Sequence, residues 1–166
     1  MPKKRHGGAI RPSLLKVGDS PVAGLKLRHC LSDVLESKFD CAWSPDGRFL
    51  AFVSKQHSIQ TFDVVSVGTN ALAALGDDDH VFCLAWSADS KRLAGAAGRK
   101  GVSVWDAPTG ERIWEFKEHT GWVGKVACSH EGGTLASGSQ DQTIRLWDMN
   151  SGSSLGVLQG HTDYVN

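Results

Sequence analysis

Apolar and polar positions alternate most clearly between Ser137 and Asp148, in the run SGSQDQTIRLWD. Small residues lead into the turn Gln140-Asp141-Gln142, and Thr143 to Asp148 then interleaves small or polar positions with Ile144, Leu146 and Trp147. Thr, Ile and Trp suit a pleated, half-buried surface, and an Asp in a tight turn can hold neighbouring backbone N–H groups. The pattern predicts strand, turn, strand. It also recurs. CAWSPDG at 41–47 returns as LAWSADS at 84–90 and as VACSHEG at 126–132, so Trp43, Trp86 and Cys128 stand 43 and then 42 residues apart. Leu50-Ala51, Leu93-Ala94 and Leu135-Ala136 keep the same two offsets, as do Phe62-Asp63, Trp105-Asp106 and Trp147-Asp148. Each unit continues through a turn glycine (Gly68, Gly110, Gly152) into a short apolar run at 71–75, 112–116 or 154–158. Three landmarks in one register predict an all-β chain, with four short strands in every period of about 40–45 residues.

The pairs Trp105-Asp106 and Trp147-Asp148, with Gly160-His161 opening a further unit, resemble the signature of WD-40 repeats, each one blade of a β-propeller. The resemblance covers 38–166 and implies repeats at about 38–75, 76–116 and 117–158, with the start of the next at 159–166. It implies an incomplete ring of about three four-stranded blades plus the start of another. A piece of that size leaves strand edges unpaired, so it is expected either to belong to a longer protein, the favoured reading, or to pair with another copy or a partner. The first unit is degenerate, with Phe62 in the Trp position and Gln56 in that of Asp141.

Ahead of the repeats, residues 24–31 alternate Leu25, Leu27 and His29 against Lys26, Arg28 and Cys30, as an outer strand would. Residues 1–21 hold Pro2, Pro12 and Pro21 and the cluster Lys3-Lys4-Arg5, which predicts a solvated, flexible tail, with a nuclear-import or phosphate-binding role of the basic cluster as the alternative. Lysine plus arginine equals aspartate plus glutamate at 18 each, which argues against a general nucleic-acid or anionic-membrane surface. Cys30, Cys41, Cys83 and Cys128 show no metal-binding or redox spacing and read as small buried hydrophobes, reduced inside the cell. No apolar run reaches the length of a membrane span, and no secretory signal is evident.

The chemistry-bearing motifs are incomplete. GAAGRKG at 95–101 is too short for a phosphate loop, and His130-Glu131 begins a zinc helix motif that Thr134 breaks. The acidic loop Asp77-Asp78-Asp79-His80 lacks ligands at metal spacing, so no metal and no cofactor is expected. His119, Ser137 and Asp141 invite a hydrolase reading, yet Ser137 lies in a strand of small residues without a nucleophile elbow. The resemblance implies another role for them. In such blades a His, a strand Ser and a turn Asp form a hydrogen-bonded chain onto the indole N–H of the repeat Trp, here Trp147, with Ser139 as the alternative hydroxyl. The second unit replaces His119 with Asp77 and Asp141 with Arg99, so the first two blades should rely more on apolar packing and be locally softer.

By the same resemblance the expected function is non-enzymatic. It is a rigid platform presenting one face to protein or peptide partners, intracellular, in cytoplasm or nucleus. The competing reading is a regulatory or sensor propeller of a larger kinase or NTPase. Register places Phe39, Phe82 and Gly124 at one equivalent point of the contact face, and Lys55, Gly98 and Gln140 just before the turn Asp. Trp122, with Tyr164 as its counterpart, is a further candidate anchor.

Overall fold

The computed structural model describes residues 40–53, 58–66, 68–74, 81–99 and 101–166, and among them there is no helix. The described strands form three antiparallel four-stranded meanders. The first contains β1 (Cys41–Trp43), β2 (Phe49–Val53), β3 (Ser58–Asp63) and β4 (Gly68–Ala74). The second contains β5 (Cys83–Trp86), β6 (Arg92–Ala96), β7 (Val102–Asp106) and β8 (Arg112–Phe116). The third contains β9 (Val123–Cys128), β10 (Thr134–Ser139), β11 (Ile144–Asp148) and β12 (Ser154–Leu158). The expected tail, the outer strand at 24–31, Phe39, Lys55, Gln56 and the acidic loop lie outside the described residues.

Strand pairing explains why the sequence landmarks keep step. Trp43 pairs with Leu50 and Leu50 with Phe62; Trp86 pairs with Leu93 and Leu93 with Trp105; Cys128 pairs with Leu135 and Leu135 with Trp147. Each trio is one rung across three strands, so its members must shift together or not at all. The turns below the rungs are fastened alike. Ser44 Oγ donates to Asp46 at 2.5 Å and accepts from Phe49 N, as Ser87 Oγ donates to Asp89 at 2.6 Å and accepts from Arg92 N.

The middle sheet is covered on both faces. Leu93 and Trp105 point into a cluster with Ala51, Ile59 and Trp86 against the first sheet. Alternate positions Ala94 and Val104 point into a cluster with Leu135, Trp147 and Met149 against the third. Burial on both sides is why β6 and β7 read as nearly continuous apolar runs. Each sheet leans on the next through its inner strand: Trp86 Nε1 on β5 donates to Ala42 O at 2.9 Å. The cysteines correct an expectation. Cys83 is buried and Cys128 half-buried, but Cys41 is exposed. It shares one face of β1 with Trp43, itself 58% exposed; the second sheet covers the other face, that of Ala42, and among the described residues no sheet packs on the face of Cys41 and Trp43 as the first sheet packs on Leu84 and Trp86 of β5.

Candidate functional site

Four side chains of the third sheet form one hydrogen-bonded line. Trp147 Nε1 donates to Ser137 Oγ at 2.9 Å; Ser137 Oγ lies 2.8 Å from His119 Nε2; His119 Nδ1 lies 2.7 Å from Asp141 Oδ2. Because Ser137 accepts from the indole, its own proton is directed to Nε2, which leaves the imidazole proton on Nδ1 facing the carboxylate. Ser139 takes no place in the line and instead accepts Asp141 N at 3.1 Å. Trp147 is fully buried and stacks on Phe116 of the second sheet, with ring centroids 4.4 Å apart. An indole so placed contributes a few kcal/mol by burial, but its N–H needs an acceptor. Burial of Asp141 opposes ionisation. Hydrogen bonds from Thr143, His119 and the Thr120 backbone outweigh it and hold the carboxyl well below the usual carboxylate range. Thr143 and Thr120 were not singled out by sequence, although their positions beside the turn Asp and the His carry the signal. Ser137 has no exposed surface, so a substrate has no path to its hydroxyl.

The second sheet shows what happens without the set. Counting back 42 residues from Ser137 reaches Gly95, a replacement that only this count reveals. A Cβ on Gly95 would lie 2.9 Å from the ring of Trp105, so glycine makes room for the indole and offers it no hydroxyl. The signature carboxylates have separate work. Asp106 and Asp148 each accept backbone N–H groups of the following turn, from Thr109 and from Asn150 and Ser151. Those bonds, the one from Ser151 foremost, pull the Asp148 carboxyl down.

Released from any such network, Arg99 is exposed, with its guanidinium 5.6 Å above the Trp122 ring. Trp122 in turn lies against Phe82, with centroids 5.6 Å apart, and is 38% exposed. Backbone bonds hold this cluster: Gln140 N donates to Trp122 O at 2.8 Å, and Val123 N to Gly98 O at 3.1 Å. Gly98 has φ of +54°, and a Cβ there would meet Phe82 and Trp122. Phe82, Gly98, Trp122 and Gln140 thus meet at one junction of the second and third sheets. Gly124 faces Asn166 instead, and Gly160 and His161 are exposed in the segment whose Val165 N bonds to Ser139 O. No group of three or more His, Cys, Asp or Glu suited to a metal occurs among the described residues.

Comparison with known proteins agrees with this architecture. The family model "WD domain, G-beta repeat" matches residues 71–106 and 110–148. The chain is 30% identical to the U5 small nuclear ribonucleoprotein 40 kDa protein of Dictyostelium discoideum over 138 residues, 81% of this chain and 39% of that protein. It is 30% identical to nuclear distribution protein PAC1 of Arthroderma benhamiae over 132 residues, 78% of this chain and 25% of that protein. The crystal structure of RRP9 WD40 repeats superposes with a TM-score of 0.66 at 26% identity, covering 80% of this chain and 42% of that one. The chain therefore spans less than half the length of the relatives it matches. With repeats that match the family model twice and blades that superpose on solved propellers, the chain belongs to the WD40-repeat β-propeller family.

Proposed function

We propose that this chain is a non-enzymatic protein-interaction platform whose contact surface is the rim carrying Phe82, Gly98, Arg99, Trp122 and Gln140. The observation that carries the reading is Trp122. A large aromatic left 38% exposed, yet fixed by Phe82, by Arg99 and by its own carbonyl, is a rigid anchor that loses little entropy on binding. The His119–Ser137–Asp141–Trp147 line fits a structural role beneath this rim, holding the β10–β11 turn to the core. A ribonucleoprotein component among the relatives supports assembly with partners, and the relatives' names support a place inside the cell, in cytoplasm or nucleus. Affinity capture with the intact chain, set beside Trp122→Ala and Gln140→Ala, tests the surface. The expected result is loss of specific partners in both variants, with a cooperative unfolding transition retained in each. Identical recovery from all three would remove the rim from consideration.

A further inference from the structure

At the opposite end of the blades the two sheet junctions are built from different residues. At the junction of the second and third sheets the chain fills the space itself. Met149 is fully buried against Cys128, with sulfurs 3.7 Å apart. Its carbonyl accepts both from the Arg92 guanidinium and from Trp114 Nε1, the latter at 3.2 Å. The Trp114 ring lies flat on Gly152, where a Cβ would come within 2.4 Å of it. At the junction of the first and second sheets, register puts Phe49 in the place of Arg92, Ala107 in that of Met149 and Gly110 in that of Gly152. Asn70 pairs with Thr61 where Trp114 pairs with Val104. In sequence, then, the methionine, tryptophan and arginine of the filled junction have no counterpart here, and Trp86 takes the place of Cys128. What remains is a cavity of about 410 Å³ lined by Phe49, Trp86, Ala107, Gly110, Arg48 and Asp63 among others. That volume lies in the range of ordinary ligand sites. Among the described residues no backbone N–H donates to Ala107 O.

We propose that this cavity binds a tryptophan side chain of a partner peptide, its indole lying on Gly110 as Trp114 lies on Gly152, with the ring N–H donating to the Ala107 carbonyl. The walls suit an aromatic guest: Phe49 and Trp86 are stacked, with centroids 6.2 Å apart and planes 21° from parallel. Charge selects against the other donor in the filled junction, a guanidinium. Arg48 already stands 5.0 Å from the Phe49 ring and 2.9 Å from the Asp63 carboxylate, so a second cation would meet a like charge and a carboxylate already paired. The site is separate from the Trp122 rim, and either assignment can fail alone.

The test is nuclear magnetic resonance of the full chain titrated with N-acetyl-L-tryptophanamide, N-acetyl-L-phenylalaninamide and N-acetyl-L-argininamide. The tryptophan amide is expected to shift the ring resonances of Phe49 and Trp86. The phenylalanine amide, lacking the N–H, should bind at least about fivefold more weakly, and the arginine amide not at all. Ala107→Met, which restores the filler of the neighbouring junction, should weaken tryptophan binding about tenfold or more; Trp122→Ala should leave it unchanged. Equal binding of the phenylalanine amide, undiminished binding to Ala107→Met, or loss in Trp122→Ala would each overturn the proposal. Should Ala107→Met fail to fold, absence of the Phe49 and Trp86 shifts in the unaltered chain would overturn it equally.

Discussion

Ser137 is the residue on which the third blade's polar line turns, because a single hydroxyl serves both Trp147 and His119. Ser137→Ala leaves an indole N–H and an imidazole nitrogen facing each other where neither Ser137 nor Trp147 has exposed surface. Each orphaned buried group costs about 1–3 kcal/mol, so a loss of roughly 2–4 kcal/mol is expected in denaturant unfolding. A loss below about 0.5 kcal/mol would show that the line contributes nothing to folding. Asp141 adds a pH signature. Its carboxyl is held below the usual range in the folded state, despite burial, by Thr143, His119 and Thr120. A depressed carboxyl stabilises fully above the unfolded value, about 3.9, and the contribution fades as pH falls from there towards the folded value. The stability gap between the natural chain and Asp141→Asn should therefore be constant above about pH 5 and narrow below about pH 4. A gap that widens on acidification would contradict the carboxylate's role.

At the scale of the blade, the second and third sheets are a natural comparison, with the same rung and a different polar complement. Trp147 has Ser137 beneath its N–H, whereas Trp105 has Gly95, which gives room but no acceptor. Trp→Phe removes similar apolar area at both positions but a hydrogen bond only at the third. Trp147→Phe should thus cost about 0.5–1.5 kcal/mol more than Trp105→Phe by calorimetry or chemical unfolding. Equal costs would mean that the indole N–H is as well served in the second blade as in the third. The comparison also marks what could be read from sequence. Strand positions were legible because Trp86, Leu93 and Trp105 form one cross-strand rung, which pins three landmarks to a common offset. The third blade's polar line was legible through the family pattern, since its members keep fixed distances from the rung. The exposure of Cys41 was not legible, because alternation places a side chain on a face without saying what covers that face. Nor was the Arg99–Trp122 contact, which joins two units.

Across the described sheets, burial follows the leaning of one blade on the next, and the thiols report it without perturbing the fold. Cys83 and Cys128 sit in the junction of the second and third sheets, their sulfurs near Val126 O and Ala85 O. Burial pushes the Cys83 thiol up, and burial with the neighbouring Cys83 pushes Cys128 up to about 12. At neutral pH such a thiol holds roughly a thousandfold less thiolate than an ordinary one near 8.5, and the thiolate is the nucleophile. Cys41 lies on the uncovered face of β1. In a Cys30→Ser background, which removes the thiol outside the described residues, iodoacetamide should modify Cys41 quickly. Cys83 and Cys128 should react at least about a hundredfold more slowly, at the rate at which the junction opens. Peptide mapping of the alkylated chain over time distinguishes the sites. Adding Ser137→Ala should speed Cys128 more than it changes Cys41, because Trp147 and Cys128 pack in one cluster while Cys41 lies apart from it. Were Cys83 and Cys128 to react as fast as Cys41, the two sheets would not be held together by the packing described, and the leaning of blade on blade would have to be abandoned as the source of burial.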